Sequence, residues 1–324
     1  ARQYFFIRVW AAPATLSLMA LKGWFIGMQD TVSPMITDMV VNVVNMLVSY
    51  VLAVYTPMGA LGVALGTVVA QFTGLSLAII LLLCKYRDVF RGLSIWQLAR
   101  DMQGMRSLIT LNANLFVRSL YFMVVYVGFT SLSSMYGDTD LAVCSILMKL
   151  FMLVSYFVDG FAYAGEALVG KYIGAAKSNP ISDSPSGRPV SNSPSGASEI
   201  SSLVRLLFLW SLGVGAVFTV LFALSYMPMY RMMTSDSEVL ARLTDFVGWL
   251  IAMPIVSTLA FMWDGVFTGA TAGKHIRNAM IWAAIGFVVG YVASYHFLGT
   301  HALFVGYFLH LAARVIYLTA TWRP

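Results

Sequence analysis

The sequence has few charged residues and almost no cysteine. Lysine, arginine, aspartate and glutamate together make up 10% of the 324 residues, whereas hydrophobic residues make up 59% and the mean hydropathy is +0.79. Soluble domains carry about 25% charged residues, so this composition excludes the ordinary soluble classes. The cysteines, Cys84 and Cys144, lie in or beside apolar runs, which excludes a disulfide framework and a cysteine metal site.

Apolar runs of around 20 residues or more recur along the chain, which is the length that crosses a hydrocarbon core of about 30 Å as a helix. We therefore predict an all-α polytopic membrane protein with nine spans. The predicted spans are 4–27, 33–54, 59–84, 107–134, 140–170, 201–226, 244–270, 278–297 and 302–321.

Basic residues are concentrated in alternate loops between these spans. The loops near 85–106, 171–188 and 274–277 are basic, whereas the intervening loops carry few bases and several acids. The positive-inside rule then places the carboxyl terminus in the cytoplasm. Because the net charge of +6 follows from membrane topology, nucleic-acid binding is not expected.

A weak internal repeat relates the first three predicted spans to the last three. Both triplets run from outside to cytoplasm, so they are parallel repeats about an axis along the membrane normal. We expect an intact protein of twelve spans in two six-helix lobes, with 1–85 supplying the last three helices of the amino-terminal lobe, the first three being missing, and 107–324 the whole carboxy-terminal lobe. The matches share one offset of 242 residues without a gap: Gly23, Phe25, Gly27, Ala60, Leu61 and Val63 recur as Gly265, Phe267, Gly269, Ala302, Leu303 and Val305.

Two connecting segments differ in character. Residues 86–106 mix bases with apolar residues at helical spacing, which predicts a cytoplasmic interfacial helix that links the lobes. Residues 178–199 are dominated by serine, proline and glycine, which predicts a disordered cytoplasmic loop.

The predicted span 140–170 carries a polar stripe along one helical face. A charge at the bilayer centre costs about 2.5 to 3.5 kcal/mol, so several on one helix require partners or a water-filled cavity. The stripe predicts a translocation pathway, and a buried ion-pair network that only fixes helix packing is the alternative. Its residues are Lys149, Met152, Tyr156, Asp159, Tyr163, Glu166 and Gly170.

Charged residues on other spans fall into layers. Arg118 and Asp159 lie about 16 and 18 Å from the cytoplasmic ends of their spans, so we predict an ion pair between them. His310 lies in nearly the same layer, as a packed core histidine or a proton relay. Glu166 and Asp264 lie about 8 to 9 Å from the cytoplasmic ends, and two acids without an obvious base would suit a proton carrier.

The first spans carry a smaller polar set. Lys22 and Asp38 each lie five residues from the tight connection 28–32, so we predict a structural ion pair across this hairpin. A stripe that suits either the lobe interior or helix-helix contact comprises Asp38, Asn42, Asn45 and Ser49.

Several motifs resemble those of the multidrug and toxic compound extrusion (MATE) family and its DinF-like branch. The resemblance covers nearly the whole chain outside 178–199 and implies a two-lobe secondary antiporter that exports amphipathic or cationic compounds in exchange for H+ or Na+. It further implies a monomer without cofactor in the bacterial inner membrane. The motifs are YFFIRVWAAPA (4–14), GWFIGMQDTVSP (23–34), NVVN (42–45), GALGVALGT (59–67), NANLFVRSL (112–120), VDGFAYAGEALVGKYIGA (158–175) and WDGVFTGAT (263–271).

The chain departs from the family pattern at the coupling positions. Where archaeal DinF-like members place an aspartate four residues after an asparagine, this chain has Ser49 after Asn45. Where the other branch uses a glutamate on the seventh helix, this chain has Arg118. The ion site, including any Na+ site, is therefore not assigned by the resemblance.

Two other functions were weighed. A flippase for lipid-linked saccharides, from the same superfamily, would favour a strongly cationic cavity, whereas acids and bases are mixed here. An intramembrane enzyme is disfavoured because the sequence lacks HExxH, GxSxG and paired GxGD motifs. We therefore predict a transporter and no enzyme.

Overall fold

The computed structural model describes residues 2–90, 102–178 and 194–322, and all regular structure in these ranges is helical. The chain forms two compact units, Ala1–Met102 and Gln103–Pro324, called here the first and second units. Eight helices are long and apolar enough to cross a membrane, or up to nine if one bent pair counts as a single span. The all-α, multi-pass membrane class is thus confirmed.

The first unit contains the bent pair. The predicted span 4–27 is divided into two helices that meet at 46°. Pro13 lies in the first turn of the second helix, where its missing N–H costs no hydrogen bond, so the chain begins a new helix there. The helices are α1 (Arg2–Val9), α2 (Ala12–Gly27), α3 (Val32–Val54), α4 (Ala60–Lys85) and the short α5 (Arg87–Phe90).

The second unit contains the remaining helices. A kink divides α8 at Ser225, whose φ is −125°, three residues before Pro228. The helices are α6 (Met102–Ser133), α7 (Asp138–Ser178), α8 (Pro194–Met233), α9 (Ser237–Asp245), α10 (Val247–Gly269), α11 (Gly273–Leu298) and α12 (His301–Thr321).

The predicted loop at 178–199 is partly wrong. Helix α8 begins at Pro194, so residues 194–199 are helical, because proline is tolerated at the first position of a helix and the helix extends beyond its apolar part. The rest of that loop, and residues 91–101 of the predicted interfacial linker, lie outside the described residues.

Close packing of α7 against α10 depends on two glycines of α10. A Cβ added at Gly265 would overlap the carbonyl of Ala162, and one added at Gly269 would overlap the backbone of Glu166. Small residues four apart let two membrane helices approach to backbone contact. This contact places the polar face of α7 beside α10.

Gly265→Ala is expected to destabilise the protein by about 1 to 3 kcal/mol, because the rigid backbone of α7 must move away. Gly23 is the equivalent residue in the first repeat and has nothing within 4 Å of an added Cβ, so Gly23→Ala is the matched control. We expect it to be neutral or slightly stabilising, since alanine favours helix. Unfolding midpoints of the purified variants measure both effects, and equal midpoints would contradict the packing.

The internal repeat is visible in the backbone. Gln29 and Thr271, 242 residues apart, are the positive-φ non-glycine residues of the described chain, with φ of 60° and 55°. At the next connection Gly59 (φ 49°, ψ −121°) matches Gly299 (φ 53°, ψ −127°), an offset of 240 residues. The gap-free match of Ala60 to Ala302, and of the residues after it, is therefore wrong by two positions, because the second repeat reaches its glycine two residues earlier.

The connection after α2 is fixed by a buried carboxylate. Asp30 accepts hydrogen bonds from the Ser33 backbone N–H (3.2 Å) and the Tyr86 hydroxyl (3.1 Å), and Lys85 Nζ lies 2.8 Å from its Oδ2. Burial would raise the pKa of Asp30, but these partners outweigh it and hold the pKa well below its usual value. The carboxylate thus caps the start of α3 in ionised form.

Asp30→Asn is expected to lower the unfolding midpoint at pH 7, where the ionised carboxylate binds Lys85. A depressed folded pKa gives stability that is present above the unfolded pKa of about 3.9 and is lost as the pH falls. The difference between wild type and variant should therefore shrink below about pH 4. Midpoints measured from pH 7 to pH 3 check this, and a difference that does not change with pH would contradict it.

Candidate functional site: a polar cavity in the second unit

A cavity of about 340 Å³ lies among α6, α7, α10 and α12 of the second unit. Its wall contains most of the charged side chains that lie within the helices of this unit, both acids and bases. The charged lining residues are Arg118, Asp159, Glu166, Asp264 and Arg314.

Asp264 is neutralised by two arginines. Its carboxylate accepts hydrogen bonds from both Nε and Nη2 of Arg314, the first at 3.0 Å, and Arg118 Nη2 lies 2.6 Å from its Oδ2. The Arg314 residue is only 1% exposed, and its guanidinium lies 5.2 Å from the centroid of the Phe261 ring. This ion triad crosses three helices and fixes their mutual packing.

The predicted ion pair between Arg118 and Asp159 is wrong, since Arg118 binds Asp264 instead. The prediction that Asp264 lacks a base is wrong for the same reason. Depths counted from helix ends ignore tilt and rotation, and an arginine side chain spans more than one helical turn. Arg314 was missed, although an arginine inside the predicted span 302–321, four residues after His310, was a signal for an intramembrane partner.

Asp159 and Glu166 form the unpaired part of the cavity. They are seven residues apart on one face of α7, and both are half-buried. Within the described residues neither carboxylate has an ion-pair or hydrogen-bond partner, whereas Asp264 has two arginines. Tyr163 lies between them and also lines the cavity, so it adds a hydroxyl to the same wall.

The other predicted site residues lie elsewhere. Lys149 and Tyr156 are exposed on the same face of α7 but do not line the cavity. His310 is 1% exposed and lies beside the ring of Tyr307, with centroids 5.8 Å apart, which favours the packed core histidine. In the described chain, the two acids of α7 are therefore the predicted site residues left with an unpaired charge in the cavity.

In the first unit, the predicted pair between Lys22 and Asp38 is confirmed. Ser49 donates a hydrogen bond to Asn45 Oδ1 at 3.0 Å and packs where Gly66 of α4 leaves room for it. This contact favours helix packing for the lower part of the stripe, while Asn42 is exposed.

The fold is that of a multi-helix membrane transporter with solved examples. A crystal structure of MATE in complex with MaL6 superposes with a TM-score of 0.82 at 13% identity, covering 98% of this chain and 68% of that one. The Vibrio cholerae MATE transporter VcmN in the bent form superposes with a TM-score of 0.80 at 17% identity, covering 98% and 67%. At these identities the likeness shows the fold.

Sequence relatives extend this to the family. The MatE family model matches residues 114–183. DNA damage-inducible protein F of Escherichia coli (strain K12) is 31% identical over 324 residues, which are 100% of this chain and 66% of that protein. Protein DETOXIFICATION 44, chloroplastic, of Arabidopsis thaliana is 24% identical, covering 100% and 57%. The chain belongs to the MATE family, whose members are secondary transporters and not enzymes, and it spans about two thirds or less of the length of these curated relatives.

Proposed function

We propose that the whole protein is an antiporter that exports amphipathic organic cations in exchange for H+ or Na+. The coupling site lies in the polar cavity of the second unit. One observation carries this proposal: Asp159 and Glu166 face the cavity without a base, while both arginines of the cavity are engaged by Asp264.

The charges of the cavity require a cation. An ionised carboxylate in a low-dielectric environment is costly unless it is paired, so Asp159 and Glu166 will hold a proton, a metal cation or a cationic ligand. If the coupling ion and the organic cation compete for the same two carboxylates, binding of one releases the other. Such competition is the physical requirement for antiport.

The family supports the substrate class. A MATE family transporter described as a multidrug resistance transporter in its outward-facing conformation superposes with a TM-score of 0.76 at 14% identity. A monomer in the bacterial inner membrane, with a cytoplasmic carboxyl terminus and no cofactor, is consistent with this proposal. The mixed acids and bases of the cavity favour organic cations over the pyrophosphate group of a lipid-linked saccharide.

The test is uptake of a fluorescent organic cation into inverted membrane vesicles that contain the whole protein. We expect uptake that depends on an imposed H+ or Na+ gradient and that a gradient-collapsing ionophore abolishes. Asp138→Asn, which removes an exposed acid outside the cavity, should leave uptake unchanged. Uptake that ignores both gradients, or binding of polyprenyl pyrophosphate lipid in preference to the organic cation, would overturn the proposal.

A further inference from the structure

A second cavity of about 540 Å³ opens where α6 meets the start of α11. Gly273 permits this close approach, because an added Cβ there would lie 2.7 Å from a methyl carbon of Leu111. The side chains of Arg106, Lys274 and His275 line the cavity, and its described lining contains no acidic residue. The cavity is therefore basic.

These positive charges are not compensated by carboxylates. Arg106 and Lys274 are exposed and form no ion pair with any acid in the described ranges. Arg277, one turn further along α11, donates to the side-chain oxygens of Asn114 (3.0 Å) and Asn278 (2.9 Å), which are neutral. Three full positive charges thus surround one cavity without an internal counter-ion.

The first repeat shows what this position holds when its charge is satisfied internally. By the offset of 242 residues, Asp30 corresponds to Ala272, and Asp30 binds Lys85 and the backbone N–H of Ser33 at the start of α3. Ala272 offers no side-chain cap to the start of α11. The second unit therefore has the same helix start and more basic side chains, but lacks the carboxylate.

We propose that this basic cavity binds the phosphate group of an anionic phospholipid. Charge complementarity identifies the anion, and basic pockets between membrane helices are known as sites for anionic lipid head groups. The surroundings identify a lipid as its source, because Leu108 and Ile109 of α6 next to the cavity are exposed apolar residues against which acyl chains can pack. The site is separate from the polar cavity, so it does not depend on the coupling mechanism.

The test is thermal unfolding of the purified protein in detergent, titrated with short-chain phosphatidylglycerol, with phosphatidylcholine of the same chain length, or with inorganic phosphate. A ligand that binds the native state raises the unfolding midpoint in proportion to its occupancy. We expect phosphatidylglycerol to raise the midpoint and phosphatidylcholine to leave it unchanged. Equal shifts from both lipids would overturn the charge-selective site, and an equal shift from inorganic phosphate at the same concentration would overturn the lipid as its source.

Two kinds of variant locate the site. Arg106→Gln and Lys274→Gln should each weaken the phosphatidylglycerol response about fivefold, whereas Arg231→Gln, which removes an exposed arginine at the far end of α8, should not. Ala272→Asp supplies the carboxylate that Asp30 provides in the first repeat. It should raise the midpoint without lipid, by capping α11, and abolish the response to phosphatidylglycerol. A full lipid response in Ala272→Asp, or in the double variant of Arg106 and Lys274, would overturn the proposal.

Discussion

Asp264→Asn is expected to lower the yield and the unfolding midpoint more than any other single change in the polar cavity. The substitution leaves Arg314, which is 1% exposed, charged and without a counter-ion. Removing one partner of a buried ion pair typically costs about 3 to 5 kcal/mol, because the remaining charge stays in a low-dielectric environment. The yield of monodisperse protein and its midpoint in detergent measure the effect.

Asp159→Asn is the matched control for this prediction. It removes the same charge from the same cavity, but Asp159 has no ion-pair partner among the described residues, so the midpoint should stay within about 0.5 kcal/mol of wild type. Combining Asp264→Asn with Arg314→Gln should recover part of the lost stability, because the stranded charge is removed as well. A stable Asp264→Asn protein would show that the triad does not fix the packing of the second unit.

Removing both unpaired acids, by Asp159→Asn with Glu166→Gln, is expected to abolish gradient-driven transport while the protein still folds. The two carboxylates are the groups of the described cavity that can exchange a proton or sodium ion for an organic cation, since Asp264 is held by two arginines. Uptake into vesicles should fall to the level of vesicles without the protein, at unchanged protein content.

The single variants and a distant control sharpen this result. Each single change leaves one carboxylate, so Asp159→Asn and Glu166→Gln should each retain binding of the organic cation but reduce coupling. Asp138→Asn, outside the cavity, should transport like wild type. If the double variant kept gradient-driven uptake, the coupling site would have to lie outside the second unit.

The comparison of predicted and observed ion pairs shows what local sequence can determine. Lys22 and Asp38 were paired correctly because a short connection joins α2 to α3 and fixes their relative depth. Arg118 and Asp159 lie on α6 and α7, and equal depth there says nothing about how each helix is rotated. The long arginine side chain reached a different carboxylate, Asp264, which a second arginine already held.

Helix boundaries show the same limit. Apolar runs predicted the spans to within a few residues, because burial in lipid requires that composition. They did not predict the break between α1 and α2, or the helical residues 194–199, because there composition changes while the helix geometry is set by proline positions. Likewise, the repeat was found at the glycines of α2 and α10, but its two-residue shift at Gly299 is visible only in the backbone angles.

The central claim is that Asp159 and Glu166 hold the coupling ion and the organic cation alternately. The most direct test is titration of purified protein with tetraphenylphosphonium in weakly buffered solution, with proton release followed by a pH indicator and sodium competition measured in parallel. We predict that wild-type protein releases a proton on binding, or that sodium weakens binding, and that the double variant shows neither effect. Binding that releases no proton and is insensitive to sodium in wild-type protein, or identical responses in the double variant, would contradict the account.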